Sequence, residues 1–275
     1  MSGMASPWTE IGDRVLVRRY AAFDQNVVAV LAGDEALVLD TRSTYRQARE
    51  ILRDLRALGS PRVAAVVNSH GHFDHSFGNR VFRPVPVWGH VRCAVMLEPG
   101  TSRQLELAAS ELDPEDAADL GEVELDPPDR VFEVAATIDL GGRRIDLAHL
   151  GLGHTDNDIV LSVPDADVLC AGDLLENGAT PYFGDAFPLA WPDTVAALLA
   201  ITGPSTMVVP GHGDHGGRAF VEASLAQLRA LVALARRVHT GELDLEAAAA
   251  VAPYPAEDAV EPLERALAQL RGELG

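Results

Sequence analysis

Short apolar runs separated by turn formers fill the first third of the chain, and their period switches between two and the helical value. RVLVRR (14–19), NVVAVL (26–31) and ALVLD (36–40) predict strands, with Gly33-Asp34 turning the chain between the last two. From 43 to 58 the apolar positions fall at helical spacing, with Ser43 as the expected cap and Gly59-Ser60-Pro61 as the stop. VAAVVN (63–68) is almost continuously apolar, as a strand buried on both faces would be, and it runs straight into SHGHFDHSFGN. VPVWGH (85–90) predicts a further strand, followed by a helical segment.

Beyond residue 97 the chain turns acidic and proline-punctuated as far as about 130, which predicts short helices or loops rather than a second domain. TIDLGGRRIDLAHL (137–150) reads as a hairpin about Gly141-Gly142. Residues 159–163 and 167–171 form another expected strand pair, turning at Pro164-Asp165. A loop rich in Gly, Pro and aromatics (176–190) precedes a helix near 192–202, a strand near 206–209 and GHGDHGG; Ala/Leu-rich helix broken near Pro253 and Pro255 ends the chain. The pattern predicts an α/β domain over 1–240, with 241–275 as a helical extension of the same domain.

Composition narrows the classes. The 275 residues carry 22 basic and 41 acidic side chains, a formal charge of −19, and every basic residue is arginine. Hydrophobic residues make up 47%, enough for a sizeable core. A chain this acidic repels a phosphate backbone, and its basic clusters (Arg18-Arg19, Arg143-Arg144, Arg236-Arg237) are only pairs, so no nucleic-acid partner is expected. No apolar run approaches the roughly 20 residues of a membrane span. MSGMASPWTE lacks the basic and apolar segments of a secretion signal. Two cysteines, Cys93 and Cys170, are too few for a disulfide framework, and the expected location is cytoplasmic.

The chemistry concentrates in His70-Gly71-His72-Phe73-Asp74-His75, four potential metal ligands at the end of a predicted buried strand. Imidazole nitrogen and carboxylate oxygen are ligands that zinc and iron accept. The glycines and Ser76 let the backbone turn tightly enough for such ligands to converge. His154 lies in GLGHTDND just before the strand at 159–163, Asp173 closes VLCAGD after the strand at 167–171, and His212 sits in VVPGHGDH after the strand at 206–209. Loops at strand ends are where α/β folds place their sites.

The order HxHxDH, GHT, GD, GHG, extending from the strands before His70 to the helix after His212, resembles the metallo-β-lactamase superfamily of metal-dependent hydrolases. The resemblance implies an α/β fold, a four-layer αβ/βα sandwich of two mixed β-sheets flanked by helices, with a two-metal site along one edge. Carried over, His70, His72 and His154 would hold the first metal, Asp74, His75 and His212 the second, and Asp173 would bridge them. Asp40, in LVLDT, matches a family Asp that supports the metal-binding loop. The implied cofactor is two zinc ions, with iron or manganese as alternatives. Two cations about 3.5–4 Å apart acidify a bridging water, giving a hydroxide that attacks a carbonyl. Asp74 would take and return the proton. A GxSxG elbow, the mark of a covalent serine hydrolase, is absent.

Departures from the family pattern narrow the branch. β-Lactamases with a cysteine ligand place it where this chain has Asp173; Cys170 falls three residues early and reads as a small buried hydrophobe. Those enzymes commonly grip the substrate carboxylate with a lysine, and this chain has none. The bridging Asp resembles instead the glyoxalase II and lactonase-like branch, and the acidity disfavours the RNA-processing members. The expected substrate is a small molecule bearing an ester, thioester, lactone or amide. A β-lactamase-type amide hydrolase, an iron-dependent sulfur dioxygenase and a non-catalytic metal-binding module remain as alternatives. Of the aromatics in 176–191 (Tyr182, Phe183, Phe187, Trp191), Tyr182 is a candidate for binding a developing oxyanion, and the group either lines a cleft or packs the loop down. His215 is a candidate for orienting a ligand, and His90 and His149 read as structural. The C-terminal Ala/Leu helices are expected to cover the core, with a homodimer interface as the alternative if an apolar stripe is left exposed.

Overall fold

Branched apolar side chains about tight turns build the strands, and the computed structural model describes them over residues 8–100 and 103–274. Most of the MSGMASPWTE opening, Thr101 and Ser102 of the acidic stretch, and Gly275 lie outside the described residues. The chain divides into two compact units, Met1–His149 with Ile159–Val168, and Leu150–Asp158 with Leu169–Gly275.

The first unit holds β1 (Thr9–Gly12), β2 (Val15–Tyr20), β3 (Gln25–Ala32), β4 (Glu35–Leu39), β5 (Arg62–Val67), β6 (Val87–His90) and β7 (Arg130–Phe132). β1 to β4 pair antiparallel in sequence order, whereas β4, β5, β6 and β7 pair parallel, so this is a mixed sheet. β8 (Ala135–Leu140), β9 (Arg143–Ala148) and β10 (Val160–Val163) form an antiparallel meander in the same unit. Its first turn places Gly141 at φ 56° and Gly142 at φ 88°. Both central residues are left-handed, which only glycine adopts at little steric cost and which matches the strand twist.

The α-helices that accompany these strands among the described residues are α1 (Tyr45–Asp54), α2 (Phe73–Ser76), α3 (Asn79–Phe82), α4 (Val91–Met96), α5 (Gln104–Glu111) and α6 (Pro114–Ala118). The cap of α1 is Thr44, one residue beyond the expected Ser43: Thr44 Oγ1 accepts from Gln47 N at 3.2 Å. Gln47 Oε1 in turn accepts from Ser43 N, so the two residues share the work of closing the helix start. Ala48, Ile51 and Leu55 bury one face of this segment in a core cluster with Leu16, Val27, Val38 and Val66 of the sheet. A second cluster joins Phe73 and Phe77 to Cys93, Leu97, Ala108, Leu112 and Val123. The acidic stretch thus packs Ala108, Leu112 and Val123 beside α2, the turn that carries Asp74 and His75.

In the second unit, β11 (Val168–Asn177, from Leu169 onward) neighbours β12 (Met207–Gly213). Both strands outrun their expected ends at 171 and 209, so Asp173 and His212 stand within strands rather than after them. Gly172 explains the first difference: its φ of 52° interrupts the alternation without ending the strand. α7 (Trp191–Ile201), α8 (Arg218–His239), α9 (Leu245–Ala249) and α10 (Ala256–Leu270) complete the unit, with α7 and α10 packed on α8. α8 buries Val221, Leu225, Leu228, Val232 and Ala235, a stripe at helical spacing. Among the described residues, no helix is long and apolar enough to cross a membrane.

Candidate metal centre

In the first unit, β5 delivers buried Asn68 and Ser69 into the histidine motif, where His70, His72, Asp74 and His75 are all buried. Several hydrogen bonds fix the α2 turn. Asn68 Nδ2 and Thr41 N donate to His75 O at 3.0 and 2.9 Å, and Ser76 Oγ donates to His72 O at 2.8 Å. The Gln25 side-chain amide donates to Asp74 O, and Phe73 N donates to Gln104 Oε1 at 3.0 Å, tying α2 to β3 and α5.

Asp40, just past β4, anchors the imidazoles. Its carboxylate accepts from Ser69 N at 2.7 Å, from Ser69 Oγ at 2.8 Å and from His75 Nδ1 at 2.8 Å. A hydroxyl has one proton; with that proton on Asp40, Ser69 Oγ accepts from His70 Nδ1 at 3.1 Å. Both rings are therefore assigned the Nδ1–H tautomer from their partners, leaving a lone pair on each Nε2. His75 Nε2 faces Asp74 Oδ2 at 3.1 Å.

The second unit repeats this logic. The GHTDND loop is closed by Asp158, whose carboxylate accepts from Thr155 N at 2.7 Å and Thr155 Oγ1 at 2.8 Å. His154 Nδ1 lies 3.1 Å from Tyr182 O. A carbonyl only accepts, so Nδ1 carries the proton and Nε2 the lone pair. That Nε2 lies 3.5 Å from Asp173 Oδ2, and His212 Nε2 lies 3.2 Å from the same oxygen. Glu176, also on β11, brings a carboxylate oxygen within 4.8 Å of the ligand atoms of His154 and Asp173.

The donor set fits a transition-metal ion. A neutral imidazole lone pair facing a carboxylate oxygen is repulsive unless a cation lies between them. Two atoms each bound about 2.0–2.1 Å from a tetrahedral zinc lie about 3.3 Å apart, close to the 3.1–3.5 Å separations of these pairs. The outward Nδ1–H bonds to Asp40, Ser69 and Tyr182 O are the partners that metal-bound histidines normally have.

Gly211 keeps this arrangement open. A Cβ there would fall inside van der Waals contact of Asp173 Oδ1 and close to the Gly172 backbone. Gly211→Ala should cost about 1–3 kcal/mol in stability through overpacking and weaken zinc binding. Denaturant unfolding, with zinc titration of the folded variant, checks both effects.

Other expected site residues take less central positions. Tyr182 is 38% exposed, and its hydroxyl lies over Gly184 of its own loop while its carbonyl holds His154. Phe183 and Trp191 are fully buried with ring centroids 5.0 Å apart and pack the 176–191 loop down. His215 is exposed. His90 and His149 stack at 4.3 Å, with His90 Nε2 on Glu133 O at 3.0 Å. Cys93 and Cys170 are both buried. Glu176, Gln104 and the Tyr182 carbonyl were not anticipated. Only the LLEN continuation of β11 past Gly172 signals Glu176.

Layered α/β structure with buried, pre-oriented imidazoles facing carboxylates defines a metal-site protein. The model of the metallo-β-lactamase superfamily matches residues 20–212. The chain belongs to that superfamily. Among curated relatives, a metallo-β-lactamase type 2 of Bacteroides fragilis is 34% identical over 98 residues, covering 34% of this chain and 39% of that protein. One of Bacillus cereus is 24% identical over 204 residues, covering 73% of this chain and 72% of that protein. The solved metallo-β-lactamase from Pontibacter korlensis matches with a TM-score of 0.65 at 21% identity, covering 81% of this chain and 98% of that one. This likeness shows the fold expected from the motif order.

Proposed function

We propose that the protein is a dinuclear hydrolase, using zinc, that cleaves an ester, thioester, lactone or amide carbonyl in a small molecule. His70, His72 and His154 would hold one ion, Asp74, His75 and His212 the other, and Asp173 would serve both. The observation that carries this reading is that His75 and His154, each fixed through Nδ1, and His212 direct Nε2 at Asp74 or Asp173 at 3.1–3.5 Å. Bound metal would supply Lewis acidity and would lower the pKa of a coordinated water toward neutrality. Asp74, buried beside His75, would take and return the proton of that water. Asp40 and Ser69 hold His70 and His75 in the tautomer that leaves Nε2 available.

An aspartate at 173 and the absence of lysine favour the glyoxalase II and lactonase-like branch. A second reading, hydrolysis of a β-lactam amide, is favoured by the curated relatives named as metallo-β-lactamases. A panel of aryl esters, thioesters, lactones and β-lactams, run on zinc-loaded and chelator-stripped protein, separates the two. Turnover of an ester, thioester or lactone, lost on stripping and restored by zinc, is expected. Turnover of β-lactams alone supports the second reading, and undiminished turnover in stripped protein would sink both.

A further inference from the structure

A cavity of about 590 Å³ lies within the second unit, walled by the end of β11, the 178–181 segment, α8 and residues 253–258. That is within the roughly 300–1,000 Å³ typical of small-molecule sites. Its floor includes Leu174 and Trp191, and its α8 wall carries Phe220, Ala223 and Leu228. Two carboxylates border it, Glu176 and Asp258, and no arginine or histidine is among its lining residues. Glu176 faces two ways, since its carboxylate also comes within 4.8 Å of the ligand atoms of His154 and Asp173. Asp258 is exposed and accepts from Thr180 Oγ1 at 3.0 Å, which fixes it beside the cavity. Tyr254 is buried in the same wall, and its phenol is pushed well above its ordinary pKa, first by burial and then by the Glu176 charge.

We propose that this cavity binds the non-reacting part of the substrate and selects a cationic group, such as an ammonium, on an apolar body. The inference rests on the hydrolase reading for its link to turnover, but its binding test does not. An anion entering the cavity meets Glu176 and Asp258 with no compensating arginine, whereas a cation is drawn between them. The half-buried Pro181, Phe220 and Pro253 and the exposed Ala223 offer the apolar body its contact surface. The wall at 253–258 comes from the C-terminal helical region, so selectivity is set by a part of the chain beyond the 20–212 family match.

The probes are benzyltrimethylammonium and phenylmethanesulfonate, similar in size, opposite in charge and both poor zinc ligands. Calorimetric titration of the zinc-loaded full chain should give a dissociation constant for the cation at least about tenfold lower, equivalent to about 1.4 kcal/mol. Asp258→Asn, an exposed and nearly isosteric change, should shrink that ratio at least threefold. Ala223→Trp, at an exposed position on the α8 wall, should weaken cation binding at least threefold by obstructing part of the cavity. Equal affinities, tighter sulfonate binding, or cation binding untouched by Ala223→Trp would each overturn the assignment. A silent hydrolysis panel alongside an intact cation preference would count against the hydrolase reading and leave the cavity's selectivity standing.

Discussion

Asp173→Ala should reduce zinc affinity by roughly 3–5 kcal/mol, the range measured when one partner of a buried charged pair is removed, and bring hydrolysis below detection. The reason is local. Asp173 is 4% exposed, and His154 and His212 both direct Nε2 at its Oδ2, at 3.5 and 3.2 Å. Without that oxygen, the two imidazoles lose the anion that lets a cation sit between them. The Nδ1 contact of His154 does not compensate, because Tyr182 O fixes the ring without supplying charge. Zinc titration against a competing chelator measures the loss, with circular dichroism to establish that the variant folds. Unchanged affinity in a folded variant would remove Asp173 from the ligand set.

Asp40→Asn should weaken zinc binding roughly 10–100-fold, as removal of a metal ligand's hydrogen-bonding partner does, although Asp40 is not itself proposed as a ligand. The carboxylate accepts three bonds, from Ser69 N, Ser69 Oγ and His75 Nδ1. An amide keeps one acceptor and turns an NH2 toward groups that are themselves donors. The strain is relieved if His75 moves its proton to Nε2, the atom that faces Asp74 at 3.1 Å. Nitrogen-15 NMR of the imidazoles reports the tautomer directly. Weaker binding together with an Nε2–H His75 is expected, and wild-type affinity with an Nδ1–H ring would contradict the positioning role.

The donors at this site were legible because they cluster by type: three imidazoles and a carboxylate follow a strand whose apolar run is unmistakable. What orients them was only partly legible. Asp40 carries a recognisable side chain, but the partner of His154 is the carbonyl of Tyr182, and a backbone oxygen leaves no mark in the residue types. Gln104 sits in an acidic segment whose pattern suggested only helices or loops, yet it caps the α2 turn through Phe73 N. Strand ends were the weakest feature. β11 continues through Gly172 because a left-handed glycine bends a strand without ending it, and that continuation carries Glu176 both to His154 and Asp173 and to the cavity. The arginine-only basic complement gained a further meaning, since no arginine lines that cavity.

The central claim is that the imidazoles facing Asp74 and Asp173 hold metal and that hydrolysis depends on it. Elemental analysis of the zinc-reconstituted full chain, with hydrolysis followed through chelation and re-addition, tests it most directly. The account predicts about two equivalents of zinc, as in two-metal hydrolytic sites, with activity lost and regained in step with metal content. Protein that retains no zinc after reconstitution, or that hydrolyses its substrate equally well when stripped, would contradict it.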